Sequence, residues 1–142
     1  MNDASKAADR LWGPARLKQL EKQNKLIQDE VKLLKQKKKE AQANLIKDRS
    51  DLSKAAAAAG VSFNIDEKGN ITNYTEKMDA LYAELESREN EADGFAKAGK
   101  SKEEQDEYIE KYLTPLQDKI NELKEAMSQY EETRELLEDI DD

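Results

Sequence analysis

The sequence lacks the residues on which most protein chemistry depends. Its 142 residues include no cysteine and no histidine. Without cysteine there is no disulfide framework and no thiolate chemistry, and the redox compartment is left undetermined. Without histidine the commonest general base and the commonest metal ligand are missing. Carboxylates are abundant, but they lie on charge-dense helical faces where nothing desolvates an acid–base pair. We therefore expect no catalytic residue, no cofactor-binding residue and no metal site.

Turn-forming residues, aromatic residues and long apolar runs are also scarce. The chain has two prolines, five glycines and 6% aromatic residues. No apolar run approaches eighteen residues and the N-terminus has no signal-peptide core, so we expect neither a membrane span nor secretion by the chain's own signal. Charged residues make up 39% of the chain and the mean hydropathy is -1.03. Such a composition fits either disorder or long helices that share a thin apolar seam.

The charge is unevenly distributed. The formal net charge is -8, which argues against general nucleic-acid affinity. Residues 32–39 are rich in lysine, whereas residues 131–142 are strongly acidic. We interpret these stretches as solvated helix faces that attract each other if two helical arms run antiparallel.

Heptad spacing decides in favour of helices. After an N-terminal lead over residues 1–13, which we expect to be flexible, Gly13 and Pro14 predict a helix start, and Trp12 is spaced to pack on Leu17. The following a and d positions predict one long helix over residues 14–60. Three of these positions, Asn24, Lys38 and Asp48, are polar. The apolar ones are Leu17, Leu20, Ile27, Val31, Leu34, Ala41, Leu45, Leu52, Ala55 and Ala59.

Residues 61–74 interrupt the helical pattern and predict a short β-hairpin at the tip of two arms. Gly60 suits a positive φ at a helix C-terminus, and Gly69 suits a left-handed position in the turn. The stretch superficially resembles a calcium-binding EF-hand loop. However, Lys68 and Thr75 occupy two positions that need oxygen ligands, so a calcium-responsive switch is the least favoured interpretation.

The returning arm is predicted to break into helices over residues 75–98, 101–113 and 115–140. Asn73 or Thr75 can cap the first helix, a Ser101–Glu104 capping box begins the second, and Thr114 with Pro115 begins the third. Arg88 and Arg134 interrupt the apolar pattern. The apolar positions are Met78, Leu81, Leu85, Ala92, Phe95, Ile109, Leu113, Leu116, Ile120, Leu123, Met127, Tyr130 and Leu137.

Three arrangements of the arms remain open. A simple fold-back places Leu52 near Leu81 and Asp48 near Leu85. In the preferred arrangement residues 99–113 project sideways and the last helix docks again on the first. That register pairs Leu34 with Leu116, Val31 with Ile120, Ile27 with Leu123, Leu20 with Tyr130 and Trp12 with Leu137. A compact three-helix bundle is the third choice.

The fold class predicted from these patterns is all-α. We expect a single coiled-coil domain over residues 1–142, built as a long antiparallel helical hairpin with a short β-hairpin tip. Such a two-helix seam buries little apolar area, so self-association into a homo-oligomer or contact with other proteins would complete the packing.

The phrase Phe63-Asn-Ile-Asp-Glu-Lys-Gly-Asn-Ile-Thr-Asn-Tyr74 between two long helices resembles coiled-coil segments of tail tape-measure proteins of tailed bacteriophages and prophages. Residues 130–133, Tyr-Glu-Glu-Thr, are similar to segments of the same family. The resemblance covers roughly residues 17–140 and implies a fragment of a longer structural protein. It further implies that the protein occupies the tail lumen and sets the length of the tail. Tail-tube proteins would then be its partners, and it would be located in the virion tail or the bacterial host cytoplasm. The alternative is a cytoplasmic coiled-coil scaffold or chaperone-like module that binds partners through the hairpin tip.

Overall fold

The computed structural model describes residues 14–141, so the predicted lead over residues 1–13 and the predicted Trp12–Leu17 contact lie outside the described residues. The structure is all-α, as the heptad spacing predicts. In order, the helices are α1 (Pro14–Ala58), α2 (Tyr74–Lys97), α3 (Lys102–Tyr108) and α4 (Thr114–Asp141), with a π-helical turn at Ile109–Leu113 between the last two. Within residues 14–141 there is no strand, and none of the helices combines the length and apolar character needed to cross a membrane.

Helix α1 ends where Gly60 changes the direction of the chain. Gly60 has a φ of 72°, and the N–H of Val61 donates to the carbonyl of Ala56 at 2.9 Å. A second bond from Gly60 to the Ala57 carbonyl at 3.1 Å completes a Schellman motif, which satisfies carbonyls that the helix end leaves unpaired. The predicted positive φ at Gly60 is confirmed.

The segment between α1 and α2 contains one antiparallel β-bridge, between Ile65 and Ile71. Gly69 has a φ of 86°, the left-handed conformation that the turn was predicted to need. The side-chain oxygen of Asn73, the residue before α2, accepts from the Asn64 N–H at 2.7 Å. Its amide donates to the Ser62 carbonyl at 3.0 Å. Asn73 therefore ties the segment together, and its side chain does not cap α2.

Helix α4 begins at Thr114 as predicted, but the predicted chain break there, with Thr114 as an N-cap, is wrong. Thr114 has helical backbone angles, and α3, the π turn and α4 follow one another without a break. A proline inside an α-helix removes one hydrogen bond and clashes with the carbonyl four residues earlier. The wider π turn lies immediately before Pro115 and gives that carbonyl room, so the helix continues instead of restarting. By contrast, the predicted cap at Ser101 is present, because its hydroxyl accepts from the Glu104 N–H at 3.2 Å.

The core lies where three helices meet. Leu123 is fully buried and Tyr130 is 2% exposed, and both belong to α4. Helices α1 and α2 supply the other sides of the core. Its buried members are Leu52, Ala56, Met78, Leu81, Leu116, Ile120, Leu123, Met127 and Tyr130.

The contacts of α4 on α1 correct the preferred register. Lys38 forms an ion pair with Asp141 at 2.7 Å, and the Thr133 hydroxyl donates to Asp48. Further along α1, Ala55 and Ala58 share a groove with Glu122 and Ala126 of α4. The partners of α4 therefore lie near the C-terminal end of α1.

Leu34, Val31, Ile27 and Leu20 were predicted to cover the buried side of α4, but they are 52%, 43%, 58% and 39% exposed. The reason is the continuous helix from Lys102. Because it does not project sideways, it starts level with the end of α2 and reaches α1 only near Ala58. Leu52 and Leu81 both belong to the core, as the simple fold-back predicts. Asp48, which that arrangement places near Leu85, instead accepts a hydrogen bond from Thr133 of α4.

Helix α2 packs on α3 and the π turn through aromatic rings and one arginine. The Phe95 and Tyr108 rings meet edge to face, with centroids 4.7 Å apart, and Tyr108 lies 5.1 Å from Tyr112. The Arg88 guanidinium donates to the Tyr112 carbonyl within the π turn and pairs with Glu84. This arginine thereby satisfies a backbone carbonyl at the irregular turn.

Candidate interaction surface

Most of the polar residues that interrupt the heptads have specific partners in the structure. Lys38 pairs with Asp141, and Asp48 accepts from Thr133. Arg88 binds the π turn, and Arg134 binds the 61–73 segment. Asn24 differs, because its side chain makes no hydrogen bond within residues 14–141 and lies exposed. Asn24 is therefore the one seam interruption of this set that the fold does not explain.

Two side chains of α4 hold the turn of the 61–73 segment. The Tyr130 hydroxyl donates to the Gly69 carbonyl at 2.7 Å. The Arg134 guanidinium donates to the Lys68 carbonyl at 3.1 Å and to the Asn70 side-chain oxygen at 2.7 Å. Since the Tyr130 ring is buried in the core, the turn lies against the body of the protein. The segment does not project beyond it as a free tip.

Asp66 organises the same turn from within. Its carboxylate accepts from the N–H groups of Lys68 and Asn70, both at 2.9 Å, and from the Asn70 side chain at 3.2 Å. The Asn70 N–H is the main cause that lowers the pKa of Asp66 below its usual value, against an opposing effect of desolvation. The Asn70 carbonyl, which would supply the backbone ligand of an EF-hand loop, accepts from the Asp66 N–H at 2.9 Å. The oxygens that an EF-hand-like loop would turn towards calcium therefore serve the turn itself.

The remaining acidic side chains do not converge on a metal position. No group of three or more histidine, cysteine, aspartate or glutamate side chains within the described residues is arranged to hold a metal ion. An open groove of about 630 Å³ between α1 and α4 is lined by several of these acidic residues. Asp48, Asp51, Glu122 and Glu125 line it beside the alanines of both helices. The alanines form this groove because their small side chains leave space between the two helices.

Away from this groove, Tyr108 joins α2 to α3. Its hydroxyl donates to the Glu91 carboxylate, and that bond is the main cause that raises the pKa of Tyr108 above its usual value. The site is exposed, and Tyr108 also contacts the rings of Phe95 and Tyr112. We interpret it as a packing contact between two helices, since the hydroxyl and the ring of Tyr108 are both engaged by neighbouring side chains.

The largest apolar feature left uncovered is the N-terminal half of α1. Asp141, the last described residue of α4, lies beside Lys38, so no described residue of α4 covers residues 14–37. We call the a and d positions of this stretch the bare seam. It consists of Leu17, Leu20, Asn24, Ile27, Val31 and Leu34, all of them exposed. A surface of this apolar character that continues the contact line of α1 marks an interaction site.

The bare seam ends in a concave site at the tip of α4. Leu34 and Ala41 of α1 face Leu136 and Ile140 of α4 around an open space of about 680 Å³. We call this space the end notch. It lies where α4 stops covering the seam, so its walls belong to both helices.

The sequence predicted the bare seam as the apolar face of a helix but wrongly predicted that α4 packs on it. It missed the roles of Tyr130, Arg88 and Arg134, which bind backbone carbonyls far away in the sequence. The two arginines were recognisable only as charges inside an apolar pattern. Comparisons with protein-family models, with curated proteins and with solved structures find no match to this chain.

Proposed function

We propose that this chain is a non-enzymatic structural protein that works as an antiparallel helical hairpin and associates through the face of its longest helix. The observation that carries the proposal is the bare seam. Heptad spacing continues along residues 14–37 although nothing in the described chain covers it. A stripe in which five of six consecutive a and d positions are apolar, with Asn24 as the exception, is the pattern of helix–helix association.

The order of contacts supports the antiparallel arrangement. From Lys38 to Asp48 and on to Ala58 of α1, the partners on α4 move from Asp141 to Thr133 and back to Glu122. The Ile65–Ile71 bridge and the turn at Gly69 support a hairpin in the connection between the arms. In the proposed arrangement this hairpin folds back and rests on Tyr130 and Arg134.

The specific form of the proposal is a segment of a phage tail tape-measure protein, for which the resemblance at residues 63–74 is the support. In that role the chain would occupy the tail lumen, contact tail-tube proteins and contribute to tail length. A long helical structure suits this role, because length along an axis is the property that a ruler transmits. Tail location and tube partners belong to the proposal together with this role.

Tail length provides the test. In the phage or prophage that carries the gene, removal of three heptads in frame from residues 17–37 should shorten the tail by about 32 Å, at roughly 1.5 Å per residue of an extended helix. The control replaces the same residues with an equal number of unrelated heptad residues and should preserve tail length. Electron micrographs of tails measure both. Tails of unchanged length after the deletion would contradict the ruler function.

The scaffold alternative has less support from the geometry. It requires the 61–74 segment to present its apolar side chains to a client. Phe63 and Ile71 instead pack against the core, and the Phe63 ring lies 5.7 Å from that of Tyr74. The double variant Phe63→Ala, Ile71→Ala should therefore reduce stability first. Loss of a partner interaction at unchanged stability would favour the scaffold role.

A further inference from the structure

We propose that residues 61–65 bind an extended peptide of a partner protein, which adds as a β-strand along their free backbone edge and places a carboxylate against Arg49. This site uses backbone groups of the segment, so it does not require the segment to present its apolar side chains to a client. It is separate from the bare seam and from the ruler role. Peptide binding to the purified protein tests the site, whereas tail length tests the ruler role.

Four backbone groups of residues 62–66 point towards residues 70–73, where each has a hydrogen-bond partner. They are the Ser62 carbonyl, 3.0 Å from the Asn73 amide; the Asn64 N–H, 2.7 Å from the Asn73 side-chain oxygen; the Asn64 carbonyl, 2.9 Å from the Thr72 N–H; and the Asp66 N–H, 2.9 Å from the Asn70 carbonyl. The N–H and the carbonyl of one trans peptide unit point in opposite directions. The other half of each of these four peptide units therefore points away from residues 70–73.

The groups that point away are the N–H and the carbonyl of Phe63 and those of Ile65. None of these four groups makes a hydrogen bond within residues 14–141. They alternate along the backbone with the spacing at which an antiparallel strand pairs, two bonds to every second residue. Two residues of an added strand, one opposite Phe63 and one opposite Ile65, would therefore satisfy all four groups.

The sequence of this edge has neither of two features that protect sheet edges from pairing. Natural edges are often blocked by proline or by a charged side chain, especially lysine. Residues 61–65, Val-Ser-Phe-Asn-Ile, contain no proline and no charge. The bonds from Tyr130 and Arg134 reach residues 68–70 of the turn. Helix α4 therefore holds the segment without using the backbone of the edge.

A cavity adjoins the edge and offers space for a side chain of the added strand. It has a volume of about 300 Å³, with Leu52 and Ala56 of α1 on one side and Phe63 and Ile65 on the other. Directly opposite residues of an antiparallel pair have their side chains on the same face. The peptide side chains opposite Phe63 and Ile65 therefore point towards α1, as those two side chains do, and an apolar one enters this cavity.

Arg49 gives the site a preference for a negative charge. Among the described residues it is the one charged side chain that lines the cavity, and it is exposed. It makes no ion pair or hydrogen bond with another residue of the described chain. An arginine binds a carboxylate through two parallel N–H···O bonds. The peptide that fits therefore carries an aspartate or glutamate near its apolar residue.

The direction of the segment determines where that carboxylate lies in the peptide. Residues 61–65 run back along α1 from Ala56, whose carbonyl accepts from the Val61 N–H. Arg49 lies about two turns before Ala56 on α1 and lines the same cavity as Ile65, so it lies beyond the Ile65 end of the edge. In an antiparallel peptide, the acidic residue therefore precedes by two positions the residue opposite Ile65.

The probe is the synthetic peptide acetyl-Ser-Asp-Thr-Leu-Thr-Val-Thr-amide, in which Asp, Leu and Val share one face of a strand. In an NMR titration of the isotope-labelled full chain, saturating peptide should slow amide hydrogen exchange of Phe63 and Ile65 by about tenfold or more, since both become hydrogen-bonded. The Asn64 amide, which already has a partner, is the internal reference. Unchanged exchange at Phe63 and Ile65 with millimolar peptide would overturn the proposal.

The matched control peptide is methylated on the backbone nitrogens of Leu and Val. It keeps every side chain but has lost the two donors that face the Phe63 and Ile65 carbonyls, so it should not bind. Equal affinity of the two peptides would place binding somewhere other than the backbone edge and would contradict the proposal.

Two variants of Ile65 make the same test from the protein side. Ile65→Pro removes the outward N–H and leaves the bonds to residues 70–73 in place, because an edge position tolerates proline. It should weaken peptide binding by about tenfold, whereas Ile65→Val keeps the N–H and should bind almost as the wild type does. Urea denaturation checks that both variants fold, and the methylated peptide decides the question if Ile65→Pro does not. Equal weakening by both variants would argue against the edge.

Arg49→Gln tests the carboxylate. It should weaken binding of the probe by about twofold to fivefold, as expected for an exposed ion pair. It should leave unchanged the binding of a peptide with Asn in place of Asp. Equal losses for the two peptides would exclude the proposed contact.

A second copy of this chain is the other possible occupant of the edge. Pairing of two copies would slow the exchange of the Phe63 and Ile65 amides as the protein concentration rises without peptide, and light scattering would show the dimer. That result would replace the peptide by a second copy and overturn the proposal.

Discussion

At the residue scale, the turn around Gly69 shows how a few polar atoms attach a short irregular segment to a thin helical core. Tyr130 and Arg134 bind its carbonyls from one side, and Asp66 binds its N–H groups from within. Each of these bonds to a backbone group replaces one that a strand or helix would have provided. The turn is therefore held without the long β-ladder that an independent hairpin requires.

Replacing Gly69 with alanine should reduce stability. Its φ of 86° is unfavourable for a residue with a side chain, and an added Cβ would lie 3.3 Å from the Tyr130 hydroxyl. We expect a loss of about 1–2 kcal/mol in the free energy of unfolding, measured by urea denaturation. Gly94→Ala is the opposite control, because Gly94 is helical with no neighbour in reach of a Cβ. That change should stabilise by about 0.5–1 kcal/mol. Equal effects from both substitutions would refute this account of the turn.

Asp66 should make stability depend on pH in the acid range. Its pKa is lowered in the folded protein, so its stabilising contribution is present above the ordinary aspartate pKa. That contribution is lost as the pH falls through the lowered folded value. Asp66→Asn should be less stable than wild type at neutral pH, and the difference should shrink on acidification. Urea midpoints across pH measure it, with Asp93→Asn on the exposed side of α2 as a control for net charge. A difference that stays constant down to acid pH would contradict the assignment.

At the element scale, the decisive unit is the continuous run of α3, the π turn and α4. It places the core-facing residues of α4 against α1 on one side and α2 on the other. The π turn makes this continuity compatible with Pro115, and Arg88 satisfies the Tyr112 carbonyl at the turn. One irregular turn therefore determines which half of α1 is covered.

Leu123 should contribute more to stability than an exposed leucine of the N-terminal half of α1. It is fully buried between the three helices, whereas Leu33 on α1 is 52% exposed. Leu123→Ala should lower the free energy of unfolding by about 2–5 kcal/mol, through lost burial and a residual cavity. Leu33→Ala should change it by no more than about 0.5 kcal/mol. Chemical denaturation compares the two, and similar losses would mean that the core lies elsewhere.

At the scale of the whole molecule, the protein consists of a packed body and an extension with a bare seam. The main buried cluster lies between Leu52 and Tyr130, and the outermost buried residue on α1 is Ala41. Residues 14–37 therefore lie outside the packed body that the structure describes. They add apolar surface and length, and they do not cover the core.

A truncated chain that begins at residue 37 should keep the unfolding midpoint of the full chain in dilute solution, because it retains every residue of the core. A chain that begins at residue 53 should lose cooperative unfolding, since it lacks Leu52 and the Asp48–Thr133 and Lys38–Asp141 contacts. Urea titration followed by circular dichroism measures both chains. A large loss of stability in the chain that begins at residue 37 would show that the deleted residues support the body.

The sequence by itself determined the helices and several of their ends. Heptad spacing specified the apolar face of α1, Pro14 its first residue and Gly60 its end, because these signals act within a few residues. Ser101 and Gly69 were predicted for the same local reason. Such signals act between residues that are close in sequence and do not depend on contacts with distant parts of the chain.

Only the tertiary structure decided which residues meet. Heptads repeat, so every shift by seven residues satisfies the apolar pattern almost equally well, and Leu34 could have faced Leu116 as readily as the end of α4. Two features without periodicity resolved this ambiguity: the π turn before Pro115, and the bonds from Tyr130 and Arg134 to the turn at Gly69. Together they move α4 to the C-terminal half of α1, and for that reason none of its described residues covers residues 14–37.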